Sequence, residues 1–209
     1  MVENNPKEMS EDRPWLSWIC DSQSAEELEK KYDNWADTYD TDVSKDWSFM
    51  PNNIAKTLSQ LLPQKDLAIL DAGAGTGLVG EALAKEGYVN LTAIDLSEKM
   101  LAIAQEKQVY KSLYQGNLED QSLFADSVDF DVIITAGVFA YAHAGVEVLN
   151  NLFRFLKKKG IFLLTIREDY RQQMQAALKR LPWKLISEER FPIYDEAKLM
   201  YLLAFQKKA

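Results

Sequence analysis

Leu67-Ala68-Ile69-Leu70-Asp71-Ala72-Gly73-Ala74-Gly75-Thr76-Gly77 decides the fold of this 209-residue chain. A short apolar run ends in an acid, three alternating glycines follow, and the pattern then turns helical. That order reads as a strand, a tight turn and a helix N-terminus. Glycines allow backbone dihedrals closed to other residues and let a ligand approach the main chain. The helix start offers N–H groups without intrahelical partners at the positive end of the dipole. Together they form a site for a nucleotide-like ligand carrying an anionic or carboxylate group. Asp95 closes the next apolar run, Val89-Asn90-Leu91-Thr92-Ala93-Ile94. An acid at that strand end is placed to accept hydrogen bonds from ribose hydroxyls.

Outward from this stretch, strand and helix patterns alternate. Strands are expected near Leu67–Asp71, Asn90–Asp95, Tyr110–Gln115, Phe130–Thr135 and Gly160–Arg167. Helices are expected near Gly77–Glu86, Ser97–Gln108, Ala144–Lys157 and Asp169–Leu181. This alternation implies a parallel sheet covered by helices on both faces. The end differs, because Trp183–Arg190 and Leu199–Gln206 are successive strands without a helix between them, an antiparallel pair. Upstream, Ser24-x-x-Glu27 is a capping box that starts a helix at Ala25. Leu28, Tyr32, Trp35, Ala36 and Tyr39 recur on one face of that helix. Pro51 opens a second helix and Pro63 ends it. Residues 1–15 are polar and are expected to form a disordered tail. Residues 16–63 then form a helical cap and 64–209 the ligand-binding core of a single domain. No internal repeat or low-complexity tract interrupts the chain.

Composition narrows the function classes. The net charge of -8 opposes nucleic-acid binding, since polyanions select basic surfaces. Arg154, Lys157, Lys158 and Lys159 cluster, and they read as charges complementing a helix C-terminus. No apolar run is long enough to span a bilayer. The single cysteine, Cys20, excludes an internal disulfide framework and a cysteine-rich zinc site. The polar, acidic N-terminus lacks a signal-peptide pattern, so a reducing cytoplasmic setting is expected.

Asp71-x-Gly73-x-Gly75-x-Gly77 followed by Asp95 resembles the cofactor motif of class I S-adenosylmethionine-dependent methyltransferases. The resemblance continues through Gly116-Asn117-Leu118, Asp131-Val132-Ile133-Ile134 and Leu156-Lys157-Lys158-Lys159-Gly160. Tyr32-Asp33-Asn34-Trp35-Ala36-Asp37-Thr38-Tyr39-Asp40, and Gly137-Val138-Phe139 followed by His143, are similar to segments of the methyltransferase-like 27 (Williams–Beuren region) group. The resemblance implies a Rossmann-like α/β fold with a seven-stranded, mostly parallel sheet, a C-terminal antiparallel hairpin and an N-terminal helical cap. It implies S-adenosylmethionine (SAM) as cofactor, S-adenosylhomocysteine as product and methyl transfer to a small-molecule acceptor.

By the same resemblance, Gly73 and Gly75 border the cofactor's amino-acid moiety and Asp95 holds the ribose. Asp71 positions the amino-acid end through the turn or a water. Leu96 and Met100 flank the adenine, Leu118 packs on it, and Asn117 accepts from its amino group. Thr135, Ala136 and Gly137 lie at the end of the fourth strand, on the same edge. Tyr32, Trp35 and Tyr39 are candidates for a lid, since a sulfonium cation favours aromatic faces. They equally suit an aromatic stripe that anchors the helix. His143, the single histidine, is a candidate base, or a helix-start histidine satisfied by backbone. Arg167 is a candidate fork for a substrate carboxylate, or an ion-pair partner of Glu168 or Asp169. No role is assigned to Asp42 or Asp46, no metal site is expected, and the oligomeric state is not legible.

Two other readings stay open. Gly75-Thr76-Gly77-Leu78-Val79-Gly80 spells the dinucleotide fingerprint, and Tyr194 and Lys198 have the Tyr-x-x-x-Lys spacing of short-chain dehydrogenases. Against a nicotinamide-dependent oxidoreductase, the turn's first glycine is Gly73, and that register puts Leu78 at the third glycine. The remaining reading is a SAM-binding module without turnover.

Overall fold

The computed structural model describes residues 18–19, 21–124, 129–139, 144–193 and 198–209. The tail expected over residues 1–15 lies outside them. The elements run α1 (Ala25–Trp47), α2 (Met50–Leu61), β1 (Ile69–Ala72), α3 (Leu78–Lys85), β2 (Leu91–Asp95), α4 (Glu98–Glu106), β3 (Ser112–Gln115), β4 (Phe130–Phe139), α5 (Val146–Arg154), β5 (Leu156–Arg167), α6 (Glu168–Arg180), β6 (Trp183–Ile193) and β7 (Lys198–Lys207).

The strands form one seven-stranded sheet in the order β3-β2-β1-β4-β5-β7-β6. The first five are parallel, and β7 runs antiparallel to both β5 and β6. Strand order reverses between β1 and β4, so a crevice opens beyond their carboxyl ends, where such sheets bind ligands. The apolar runs follow from burial on both faces. Leu70, Ile133, Phe162 and Leu164 turn to α5 and α6 in one core. Their neighbours Ile69, Val132, Ile134, Ile161 and Leu163 turn to α2 and α3 in the other. Among the described residues, no helix is long and apolar enough to cross a membrane.

Ser24 caps α1 by accepting from the Glu27 N–H at 3.2 Å, while Glu27 accepts from the Gln23 N–H at 2.9 Å. The helix then runs unbroken for 23 residues. Its long polar face leaves one apolar stripe to dock on the core.

Boundaries differ from expectation in three places. The helix expected over Ala144–Lys157 is shorter, because Phe155 ends α5 and β5 begins at Leu156. Leu156 pairs with Phe130, the ladder shifts, and pairing resumes at Ile161 and Val132. Lys159 sits at φ 64 within that shift. The lysines are therefore exposed strand residues beyond α5, and Lys157 Nζ meets Asp131 Oδ1 at 2.8 Å. Strand β4 runs on to Phe139, but its pairing with β5 is irregular between Thr135 and Phe139. Tyr110 stands before β3, for a reason given below.

Candidate functional site

The glycine loop crosses from β1 to α3 at the sheet's crevice. The Gly73 and Ala74 N–H groups both donate to the Ile94 carbonyl, at 2.8 and 3.1 Å, which ties the loop to β2. Asp95, at the end of β2, accepts from the Gly75 N–H at 2.7 Å and from the Ser97 N–H at 2.9 Å. These donors fix the carboxylate while leaving lone pairs for hydroxyl groups. Burial pushes the Asp95 carboxyl above its ordinary range, against the lowering effect of those N–H groups.

A cavity of about 200 Å³ lies above the loop. Its lining includes Tyr32, Trp35, Tyr39, Gly73, Gly75, Asp95, Leu96, Met100, Asn117, Leu118, Ala136 and Gly137. Twelve sequence-derived candidates from five separate parts of the chain thus meet in one place. At Gly75 (φ +54) and Gly137 (φ +78) a Cβ would meet nothing within 4 Å. Both positions border open cavity, so a ligand can reach bare backbone there. Gly137 lies in the irregular stretch of β4, where its N–H donates to Thr165 Oγ1 at 2.8 Å rather than to a strand partner. That departure from the ladder turns Ala136 and Gly137 toward the cavity.

Three candidates lie off the cavity. Asp71 is buried behind the loop and accepts from the Tyr110 hydroxyl at 2.6 Å. Its Oδ1 is buried without a hydrogen bond. Thr135 is buried in the last regular part of the β4–β5 ladder. Arg167 precedes α6, where its Nε donates to Asp169 at 3.0 Å and an Nη pairs with the same carboxylate. The ion-pair alternative is thus the arrangement seen, with Asp169 as the acid. His143 lies outside the described residues, as do Tyr194 and the side chains of Lys198 and Asp46. Lys198 pairs with Ile193 at the end of a hairpin, not on a helix that could space a catalytic pair.

Tyr110 is the residue that sequence reasoning missed. Its hydroxyl donates to Asp71 and accepts from the Gly80 N–H at 3.1 Å. A Cβ on Gly80 would meet that ring at 2.2 Å. Gly80, read above as part of a dinucleotide fingerprint, is instead the notch that admits Tyr110. Burial pushes the Asp71 carboxyl up to about 7, with the Tyr110 hydrogen bond opposing and the Asp95 charge assisting. Burial also raises the Tyr110 hydroxyl well above its ordinary range, so it remains a donor.

Helix α1 closes the cavity from above. Tyr32, Trp35 and Tyr39 form one aromatic cluster, with Trp35 and Tyr39 edge to face at 4.7 Å. Trp35 is buried, and its indole N–H donates to Asp42 at 2.7 Å. Asp42, without a role in the sequence, holds the indole. Asp33 accepts from the Ser97 hydroxyl at 2.5 Å and from the Lys99 N–H at 3.3 Å, at the start of α4. Asp40 accepts from the Thr76 hydroxyl at 2.5 Å and from Lys107 at 3.2 Å. Lid and anchor are therefore one structure, since the stripe that docks α1 also lines the cavity.

Residues 70–164 match a family model described as "Methyltransferase domain". The chain is 31% identical over 157 residues to methyltransferase-like protein 27 of Homo sapiens, covering 72% of this chain and 64% of that protein. It is 31% identical over 160 residues to a malonyl-[acyl-carrier protein] O-methyltransferase of Bacillus cereus, covering 73% of this chain and 57% of that protein. The chain thus spans less than two thirds of the length of these relatives. Among solved structures, magnesium protoporphyrin IX methyltransferase from Synechocystis PCC 6803 with bound SAM superposes with a TM-score of 0.64 at 14% identity, over 96% of this chain and 93% of that one. The methyltransferase-domain match over residues 70–164 and these relatives, with the strand order and the glycine loop held by Asp95, support a class I S-adenosylmethionine-dependent methyltransferase.

Proposed function

We propose that the protein transfers a methyl group from SAM to a small-molecule acceptor held under α1. The observation that carries this reading is the bare backbone at Gly75 and Gly137 facing one cavity, with Asp95 fixed at its edge by two N–H groups. When bound, SAM supplies a methyl carbon already activated by a sulfonium. Gly73 and Gly75 border its amino-acid end, and Asp95 accepts from the ribose hydroxyls. Leu96, Met100 and Leu118 sandwich the adenine, and Asn117 accepts from its amino group. Tyr32, Trp35 and Tyr39 present aromatic faces, which suit a cation. Alignment and exclusion of water are then the chain's main contributions to rate. His143 is the candidate base for an acceptor that must lose a proton. Asp71 acts at one remove, through the loop. The single cysteine fits a reducing, cytoplasmic setting.

The nicotinamide reading fares worse. Strand β1 ends at Ala72, so Gly73 and Ala74 intervene before the fingerprint begins at Gly75, and the antiparallel β7 takes the place of a further parallel unit. Titration calorimetry with SAM, S-adenosylhomocysteine and NAD tests this directly. Binding of the first two and not the third is expected, and binding of NAD alone would overturn the proposal. Mass gain on an acceptor then separates an enzyme from a module that binds without turnover.

A further inference from the structure

The cavity's two walls differ in chemistry. The wall toward β2 and β3 carries its only charged side chains among the described residues, Asp95 and Glu119, and both are acids. The opposite wall is apolar and aromatic, made by Leu28, Tyr32, Trp35, Val43, Trp47 and Met50. Neither Lys nor Arg lines the cavity among the described residues. The nearby cations are engaged elsewhere. Lys31 pairs with Glu27 at 2.9 Å, Lys107 with Asp40 at 3.2 Å, and Arg167 with Asp169.

From this distribution we infer that the acceptor is an uncharged, largely apolar molecule, and that carboxylate or phosphate acceptors are rejected. The inference rests on the cofactor reading above for which wall faces the acceptor. An anion buried against the α1 wall would lose its hydration and gain no counter-charge from the chain. Two carboxylates on the opposite wall, and a chain of net charge -8, would oppose it further. An uncharged ring or alkyl chain loses little hydration and gains burial against Leu28, Val43 and the aromatic cluster. Arg167, the one cation the sequence offered for a substrate carboxylate, is held by Asp169 outside the cavity.

The test measures binding, not turnover. The protein is incubated with phenylnaphthylamine, an uncharged fluorescent probe, with and without S-adenosylhomocysteine, and the probe is displaced by matched pairs. One pair is a naphthol and the corresponding hydroxynaphthoate; the other is a fatty alcohol and the hydroxy fatty acid of equal chain length. The uncharged member is expected to displace the probe at a concentration lower by about tenfold or more in both pairs. Leu28→Lys, which adds a cation to the apolar wall, is expected to shrink that gap to about threefold or less. Equal or better displacement by the carboxylates in the unmodified protein would overturn the inference, as would failure of the probe to bind. Failure of S-adenosylhomocysteine to bind in calorimetry would sink the cofactor reading, and the assignment of the α1 wall to the acceptor with it; it is told apart from failure of the charge ranking, which the displacement series without it reads separately.

Discussion

The floor of the cavity and the helix above it are held by different kinds of contact. The floor is backbone and buried side chain: N–H groups of Gly73 and Ala74 on Ile94, Gly75 on Asp95, and the Tyr110 ring in the notch at Gly80. The roof, α1, touches the core through its aromatic stripe and a few carboxylates at the cavity's edge, Asp33 on the start of α4 and Asp40 on Thr76 and Lys107. Asp40 and Glu27 are partly open to water, where such bonds contribute little. The difference teaches that the two walls are separable in kind: the floor is tied into the sheet, and the roof is expected to lift without unfolding it. A methyltransferase of the kind proposed, which admits two small molecules in turn, needs one such separable wall.

Breaking the floor at its polar centre is expected to have the largest effect. In the proposed site Asp95→Ala removes the acceptor for the ribose hydroxyls, and hydrogen bonds to a charged group contribute about 1.5–3 kcal/mol each. SAM affinity is expected to fall by roughly a hundredfold, corresponding to about 3 kcal/mol, with the fold retained. Calorimetric affinity unchanged in this variant would move the cofactor elsewhere in the cavity. Tyr110→Phe comes next. It keeps the ring in its notch but takes the donor from Asp71 and the acceptor from Gly80. A loss of about 2 kcal/mol in unfolding free energy is expected, read by denaturant titration. A loss comparable to that of an exposed substitution would mean the hydroxyl does not brace the floor.

The floor was largely legible in the sequence and its brace was not. Glycines at alternate positions after an apolar run, and acids at two strand ends, have backbone meanings that do not depend on distant partners. The parallel order followed from the alternation of strand and helix patterns, and the final hairpin from two strands with no helix between. Tyr110 escaped because an aromatic at the edge of an apolar run reads as a strand residue. Its signal was the pair Gly77 and Gly80, one turn apart on α3, which calls for a bulky neighbour but names none. The same pair fitted a dinucleotide fingerprint, and only contact geometry separates the two. On the roof, the aromatic spacing showed which face of α1 docks. The anchoring roles of Asp33 and Asp40 were not read from the sequence, because their partners Ser97, Thr76 and Lys107 lie more than 30 residues away. Arg167 went the other way: two readings fitted, and its neighbour Asp169 took it.

The floor also carries a pH signature. The Asp71 carboxyl is pushed up to about 7 in the folded protein by burial, from an ordinary value of 3.8. Below the lower value both states hold the proton, and the group is neutral to stability. As pH rises from about 4 toward 7 the unfolded chain ionises while the buried carboxyl resists, so this group's contribution to stability falls across that window and levels above it. Asp71→Asn keeps an acceptor for the Tyr110 hydroxyl and removes the titration. Its unfolding free energy, read by denaturant titration, is therefore expected to gain on that of the unmodified protein as pH is raised from 5 to 7.5, by an amount on the order of 1–2 kcal/mol. A difference independent of pH would mean that Asp71 is ionised throughout and stabilised by its neighbours.

The smallest effect falls on the roof. Asp33→Ala and Asp40→Ala each remove part-exposed polar contacts at one end of the α1 seam, and each is expected to lower global stability by less than about 1 kcal/mol. The readout that matters is local. Asp33 also sits at the N-terminus of α4, where a carboxylate complements the helix dipole, so its removal loosens two elements and that of Asp40 only one. Hydrogen exchange in either variant is expected to speed up along α1 while β1 and α3 keep their protection. Exchange in α4 should accelerate only in Asp33→Ala. If α1 instead stays as protected as β1 until the whole protein unfolds, roof and floor form one cooperative unit. Entry to the cavity must then run by a route other than under the helix.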